Sequence, residues 1–450
     1  MTHPRWALAL TCLASFLVGL DALVVTTALP AIGADLRLGL DARQGVVTAY
    51  LLAYAVGIVP ASALGDRYGR RRVFTLGLTV FAVASAGCAL ATGPAALLAW
   101  RAVQGLGAAT VMPLSLTILA SAYPAARRGA VLGVWGGAGG LAVASGPLIG
   151  AALTSAAGWH AIFWLTVPVG LVCAALSAVR LPESRLPVRG RDPLGLARLA
   201  RSVPRLLRAP GFVAAAGTAV LLTATINAAT FFVAQFFQEA QGSPPLAAGL
   251  RLLPWTLTPL AVAPLAGALS DRLGRTPVLA AGMLAQGLGL GWFALAAASD
   301  AGYATLAGPL LLAGVGISAA LPASAAAALG AVQPADVGAA SGAVSTLQRF
   351  GGGLGVALTA AVFAAHGSLG TAAAYVAGFR PALAVAAGLS LLGAVTALAV
   401  RAPAGASSGV QPTSGVHVWF RGGRHAHSPE VAEAGGRQKV AAMSTGRSTA

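Results

Sequence analysis

Along most of the chain, apolar residues run on for about twenty positions and then give way to short clusters of Arg, Gly, Pro and Asp. A helix rising 1.5 Å per residue needs about 20 residues to cross a hydrocarbon slab, and it satisfies each backbone N–H and C=O within its own segment. The pattern predicts twelve spans, at 6–30, 43–64, 73–92, 95–119, 129–153 and 160–180, then 211–236, 246–269, 276–298, 303–329, 339–365 and 379–400. The run that opens at Trp6 outlasts the apolar region of a signal peptide and is read as the first span.

The second of those spans ends in a segment that recurs. Ala63-Leu64-Gly65-Asp66-Arg67-Tyr68-Gly69-Arg70 returns 205 positions later as Ala268-Leu269-Ser270-Asp271-Arg272-Leu273-Gly274-Arg275, with six identities in eight. Each copy follows the second span of its half, as two parallel repeats of six helices require. The expected organisation is a six-helix half at 1–180, an Arg-rich linker at 181–210, a second six-helix half at 211–401 and a tail at 402–450. In the linker, Leu196, Leu199, Val203, Leu206 and Leu207 stand against Arg198, Arg201, Arg205 and Arg208 at helical spacing, interrupted by Pro204. That fits both a basic amphipathic helix on anionic headgroups and a solvated linker that anchors topology. The tail has too few apolar residues to pack and is expected to be disordered, with His417, His425 and His427 part of it rather than a metal site.

Composition agrees with a membrane setting: 57% of residues are hydrophobic, 9% are charged, and the mean hydropathy is +0.79. The net charge of +17 resides in arginines scattered over short loops, with no patch or aromatic-interleaved stripe for nucleic acid. With a cytoplasmic N-terminus, Arg67, Arg70, Arg71, Arg72, Arg127, Arg128, Arg272, Arg275, Arg401 and the linker arginines all lie inside. Only Arg37, Arg43, Arg251 and Arg380 then face outward, so the expected location is the cell inner membrane with both termini cytoplasmic. Cys12, Cys88 and Cys173 are far apart within apolar runs and suggest neither disulfide nor zinc.

Few residues offer chemistry. Asp21 lies deep in the first span, where burying a carboxylate costs on the order of 3 kcal/mol on insertion scales, which makes it a candidate proton carrier as well as a candidate packing residue. Arg101 enters the fourth span from outside, ~8 Å deep where Asp21 is ~14 Å deep, so it is read either as a partner of Asp21 or as a side chain snorkelling to the interface. Gly146-Pro147-Leu148-Ile149-Gly150 combines close helix approach with a missing backbone bond. Gln104, Asn227, Phe231, Gln235, Gln348 and Arg349 are the candidate substrate-cavity residues, a lining suited to lipophilic ligands better than to sugars. Gly137 to Ala142 formally matches a dinucleotide fingerprint, but no strand precedes it. No HExxH or paired carboxylate is present, so no catalytic residue is assigned and an enzyme is not expected.

At these residues the chain resembles the major facilitator superfamily, and within it the drug:proton antiporters. Leu20-Asp21 through Ala28-Leu29-Pro30 is similar to the first-helix motif of the fourteen-helix branch, where the resemblance associates the Asp with proton coupling. Asp66, Arg67, Gly69 and Arg70, and again Asp271, Arg272, Gly274 and Arg275, resemble the cytoplasmic loop motif, implying a gate; Ser62 replaces the leading glycine that Gly267 supplies in the second copy. Arg101-Ala102-Val103-Gln104-Gly105-Leu106-Gly107 resembles the fourth-helix motif tied to proton transfer. Gly146, Pro147 and Gly150 resemble the antiporter motif of the fifth helix, with Ala142 and Ala151 where glycines are usual. Gly158-Trp159 through Gly170, Ser243-Pro244 through Pro254, and Ser341 to Leu358 look like the same branch, so the resemblance covers most of 15–365. The two extra spans of that branch are replaced here by the linker.

The resemblance implies an all-α membrane protein with the major facilitator fold, twelve transmembrane helices in two six-helix halves. It implies proton-coupled export of a lipophilic cationic or neutral compound; the alternatives are a uniporter or symporter for a small metabolite, or a non-transporting sensor. The expected partners are a small lipophilic molecule, protons and membrane lipids, with no nucleic acid, cofactor or metal, and the chain is expected to act as a monomer.

Overall fold

The computed structural model describes residues 4–184, 203–333 and 336–400, and all the regular structure among them is helical. The first six helices are α1 (Pro4–Asp35), α2 (Leu40–Tyr68), α3 (Arg70–Ala89), α4 (Pro94–Ala122), α5 (Ala125–Ala157) and α6 (His160–Arg180). After the linker come α7 (Pro210–Gln235), α8 (Pro245–Arg251), α9 (Leu253–Thr256), α10 (Thr258–Leu273), α11 (Arg275–Ala296), α12 (Tyr303–Gly330), α13 (Val337–His366) and α14 (Ala372–Leu398). Among the described residues eleven helices are long and apolar enough to cross a membrane, and counting the bent pair Pro245–Arg251 with Leu253–Ala263 as one span makes twelve.

Two spans depart from the expected outline. The one expected at 246–269 is broken at Leu252 and turns by 46°. Pro254 and Pro259 lack the N–H that would continue the backbone ladder there. The span expected to end at 236 continues as a π turn, Phe236–Ala240, in which the Gln241 N–H donates to the Phe236 carbonyl at 3.2 Å. The core of the linker, 185–202, lies outside the described residues, so neither reading of its helix is tested there. Of its end, Leu206 is buried against Phe212 and Ala215, while Arg205 reaches Asp336 at 3.5 Å. The tail, with His417, His425 and His427, also lies outside the described residues, as do the side chains of Arg128 and Asp271.

The sequence repeat returns as a packing repeat. In the first half α1 packs on α5, α2 and α3 on α4, and α3 on α6; in the second, α7 packs on α13, α10 and α11 on α12, and α11 on α14. The halves meet through a swapped pair of contacts, α2 against α13 and α8 against α5. Small residues set these distances, because without water to expel, helix association in lipid depends on close van der Waals packing. Gly105 of α4 is the clearest case: a Cβ there would strike the Tyr50 carbonyl of α2.

Candidate functional site

α4 also packs on α1, and there a carboxylate and a guanidinium meet. Asp21 on α1 and Arg101 on α4 are 4% and 1% exposed, and Arg101 Nη1 donates to Asp21 Oδ2 at 2.6 Å. The fully buried Gln104, one turn along α4, donates from Nε2 to Asp21 Oδ1 at 2.8 Å and accepts from the same Nη1 at 2.7 Å. Each carboxylate oxygen therefore takes a donor, the arrangement of an acceptor-only carboxylate. Arg101 Nε donates to the Val46 carbonyl at 3.2 Å, and its guanidinium lies 4.3 Å from the centre of the Tyr50 ring. Arg101 is thus a partner of Asp21 and not a snorkelling side chain. A charge pair sealed this deeply persists only with excellent geometry and every remaining polar site filled, which the amide, the carbonyl and the ring supply.

On its other faces α1 borders a cavity and grips α5. Val18, Gly19, Ala22 and Leu23 line a cavity of about 250 Å³ between the two halves. Of the six candidate cavity residues, Asn227, Gln348 and Arg349 line it. The other three do not. Gln104 belongs to the Asp21 cluster. Phe231 is buried edge-on to Phe232, which stacks on Phe363 at 5.3 Å, because the aromatic run of α7 fills the core of the second half. Gln235 is buried and accepts from Arg43 Nη1 at 3.3 Å. Polar cavity residues the sequence reading passed over are Thr223 and Thr230 of α7 and Trp255 and Thr256 of α9, just past the break at Leu252. The Arg349 guanidinium stands 4.4 Å from the Tyr54 ring, and Tyr54 meets Tyr50 edge-on at 5.9 Å, so a row of contacts runs from the cavity to Arg101. Two tyrosines four apart on one span were the signal that this face of α2 is occupied.

The Gly146-Pro147-Gly150 segment packs α5 on α1. A Cβ at Gly146 would lie 2.7 Å from Leu23 Cβ, and one at Gly150 2.8 Å from the Val24 carbonyl oxygen. Ala142, where a glycine is usual, fits because it faces Gly19. Pro147 lines the cavity within an unbroken α5.

At one end of the bundle the two loop motifs differ. Arg70 bonds Asp66 Oδ1 from Nε at 3.2 Å and Nη2 at 3.1 Å. Glu183, just beyond α6, accepts from the Arg71 N–H at 3.2 Å, and Arg72 lies 3.8 Å from it. Gly69 sits at φ 111° beneath the Glu183 carboxylate. In the second copy Gly274 has φ 91° with nothing closer than Pro277, Arg272 is exposed, and Arg275 donates to the Ala326 carbonyl at 3.1 Å.

At the opposite end the halves are bonded together. Arg43, read from sequence as one of the few outward-facing basic residues, is a buried residue of α2 paired with Glu239 of the π turn. Its stem continues the apolar face of α2, and the π turn swings Glu239 over it. Gln238 Nε2 donates to the Thr27 carbonyl at 2.9 Å and the Leu246 N–H to Ser155 Oγ at 3.1 Å. With the bond from Arg43 to Gln235, these hydrogen bonds join the halves at this end. Toward the motif end, a Cβ at Gly133, Gly136, Gly137 or Gly140 of α5 would meet nothing within 4 Å. The bonds between the halves thus gather at the α1–α2 and α7–α8 turns, while exposed glycines of α5 lie toward the motif end.

Known proteins share this fold. The profile of the Major Facilitator Superfamily matches residues 11–355 and again 219–432. The tetracenomycin C resistance and export protein of Streptomyces glaucescens is 29% identical over 78% of this chain and 74% of its own length. The multidrug resistance protein Stp of Mycobacterium tuberculosis is 30% identical over 79% and 75%, and the probable actinorhodin transporter of Streptomyces coelicolor 30% identical over 82% and 74%. Among solved structures, a bacterial homologue of the human lysosomal transporter Spinster superposes with a TM-score of 0.71 at 20% identity, covering 89% of this chain and 99% of that one. A D-xylose-proton symporter does so with 0.71 at 17%, covering 87% and 97%. Fold and profile together define a multi-pass membrane transporter. The chain belongs to the major facilitator superfamily.

Proposed function

We propose that the chain is a proton-coupled antiporter of the cell membrane that exports lipophilic small molecules, antibiotics or toxic metabolites among them, by alternating access. It works as a monomer with both termini in the cytoplasm. The observation that carries this reading is that Asp21 and the cavity wall share one stretch of α1: Gly19, Ala22 and Leu23 face the cavity while Asp21, between them, faces Arg101 and Gln104. Any movement of α1 that closes the cavity on cargo shifts the carboxylate against its donors. Protonation of Asp21 removes its charge and with it the attraction to Arg101, which frees α1 from α4; loss of the proton restores the pair. Asp21 is sealed in the present conformation, so exchange of its proton belongs to one in which the pair has parted.

With the motifs cytoplasmic, the present conformation opens inward, ready to load cargo from the cell. Asp66, Arg67, Gly69 and Arg70, with Asp271, Arg272, Gly274 and Arg275, then act at the inner gate, and Gly146, Pro147 and Gly150 carry the α1–α5 contact on which α1 moves. Relatives described as resistance and export proteins support the outward direction of transport. A symporter or uniporter for a polar metabolite is less well served by a lining with few hydrogen-bonding groups.

The test uses everted membrane vesicles energised acid-inside and a lipophilic fluorescent dye. Accumulation that collapses with nigericin is the expected result. Accumulation indifferent to the pH gradient sinks the coupling, and uptake driven only by the reversed gradient makes the chain a symporter.

A further inference from the structure

The cavity carries one charge with nothing to balance it. Arg349 of α13 lines the cavity beside Gln348 and takes part in no ion pair among the described residues. Other arginines held in the bundle have acceptors: Arg43 has Glu239, Arg101 has Asp21, Arg251 has Gln241 and Ser243, and Arg380 has the Ala297 carbonyl. Arg349 has the ring and the neutral hydroxyl of Tyr54, which steady a cation without neutralising it.

Beside the amides Asn227 and Gln348 and the hydroxyls Thr223 and Thr230, two polar groups of the wall are left unfilled. Trp255, 4% exposed, presents an indole Nε1–H that can only donate, and neither it nor the Thr256 hydroxyl finds a hydrogen-bond partner among the described residues. Both line the same cavity, and among the described residues no Asp or Glu does. Much of the remaining wall is apolar, with Leu51, Met112 and Ile317 in it. A guanidinium and unfilled donors in an apolar enclosure are complementary to an acceptor-rich anion with a lipophilic body.

We propose that the cargo is an organic anion, an aromatic or alicyclic body bearing a carboxylate, sulfonate or ionised phenol, whose charge pairs with Arg349 and whose further acceptor takes the Trp255 Nε1–H. This rests on the cavity being the cargo site of the proposed exporter, and it assigns the sign of the cargo's charge. It reverses the cationic or neutral cargo that the resemblance implies. Export of an anion and entry of a proton both move positive charge inward, so an inside-negative membrane potential drives the two together.

Fluorescein and rhodamine 6G, two dyes on one xanthene frame with opposite charge at pH 8, provide the test. Their binding to the detergent-purified full chain is measured by fluorescence anisotropy against micelles alone. Fluorescein is expected to bind the wild type about tenfold or more tightly than Arg349→Gln, with part of the loss recovered in Arg349→Lys and rhodamine 6G binding no worse in either variant. The Lys variant and elution as a monodisperse peak separate loss of charge from loss of fold. Equal fluorescein affinity in wild type and Arg349→Gln, or tighter binding of rhodamine 6G by the wild type, overturns the assignment. In proteoliposomes the two readings part: gradient-driven movement of rhodamine 6G but not fluorescein overturns the anion cargo and leaves the exporter standing. Arg349-dependent fluorescein binding with no gradient-driven movement of either dye supports the anion site and sinks the exporter.

Discussion

Arg43, at the start of α2, holds Glu239 of the π turn after α7 at 2.5 Å and is only 6% exposed, so a buried ion pair ties the first six helices to the last. Removing one partner leaves the other charge short of compensation inside the protein. Glu239→Ala is expected to weaken the closed end by roughly 1–3 kcal/mol, the modest range reflecting the solvent that still reaches Glu239. A cysteine in place of the fully buried Thr27, in a background without native cysteines, reports it: labelling by an impermeant maleimide should rise several-fold. Unchanged labelling would mean that the pair does not hold this end shut.

Asp21→Asn keeps the shape of the side chain and removes its charge. Arg101 retains the Gln104 and Val46 oxygens, so the chain is expected to insert and elute normally. Gradient-driven dye accumulation should fall below about a tenth of wild type, while dye exchange without a gradient persists. Full gradient-driven accumulation in the variant would remove Asp21 from the coupling.

Gly150→Ala places a methyl against the Val24 carbonyl and the Thr27 hydroxyl where α5 crosses α1. Overpacking of this kind costs typically 1–3 kcal/mol. The apparent Tm should drop, and Thr27→Ala in the same chain should restore only part of it, because the Val24 backbone stays in place. Full restoration would show that α1 and α5 are separated by the Thr27 side chain alone.

Gly69 and Gly274 occupy matching places with positive φ, yet they predict different outcomes. Alanine at either incurs a backbone cost of about 1–2 kcal/mol. At Gly69 it also meets the Glu183 carboxylate, so Gly69→Ala should lower the apparent Tm more than Gly274→Ala. Glu183→Ala should bring Gly69→Ala back toward the smaller loss, a non-additivity read directly from thermal unfolding of the double variant.

Much of the fold was legible in the chain, and less of the site. Rise per residue put Asp21 and Arg101 within reach of each other and left Arg101 either paired or snorkelling, and the 2.6 Å contact decides for the pair. Gln104 and Phe231 were misplaced because each lies on a span whose faces all look apolar, leaving no stripe to say which side meets the cavity. Glu239 carried no signal because it lies past the end of its apolar run, where only the π turn carries it back over Arg43.

The sequence by itself determined the number of spans, the six-helix repeat and the membrane setting, because these depend on run length and local composition, which each segment carries alone. Tertiary structure decided which charges are neutralised: Arg43 and Arg101 find carboxylates and Arg349 does not. That outcome rests on the rotation of each helix about its axis, which is set by packing against all its neighbours at once and is written in no single segment.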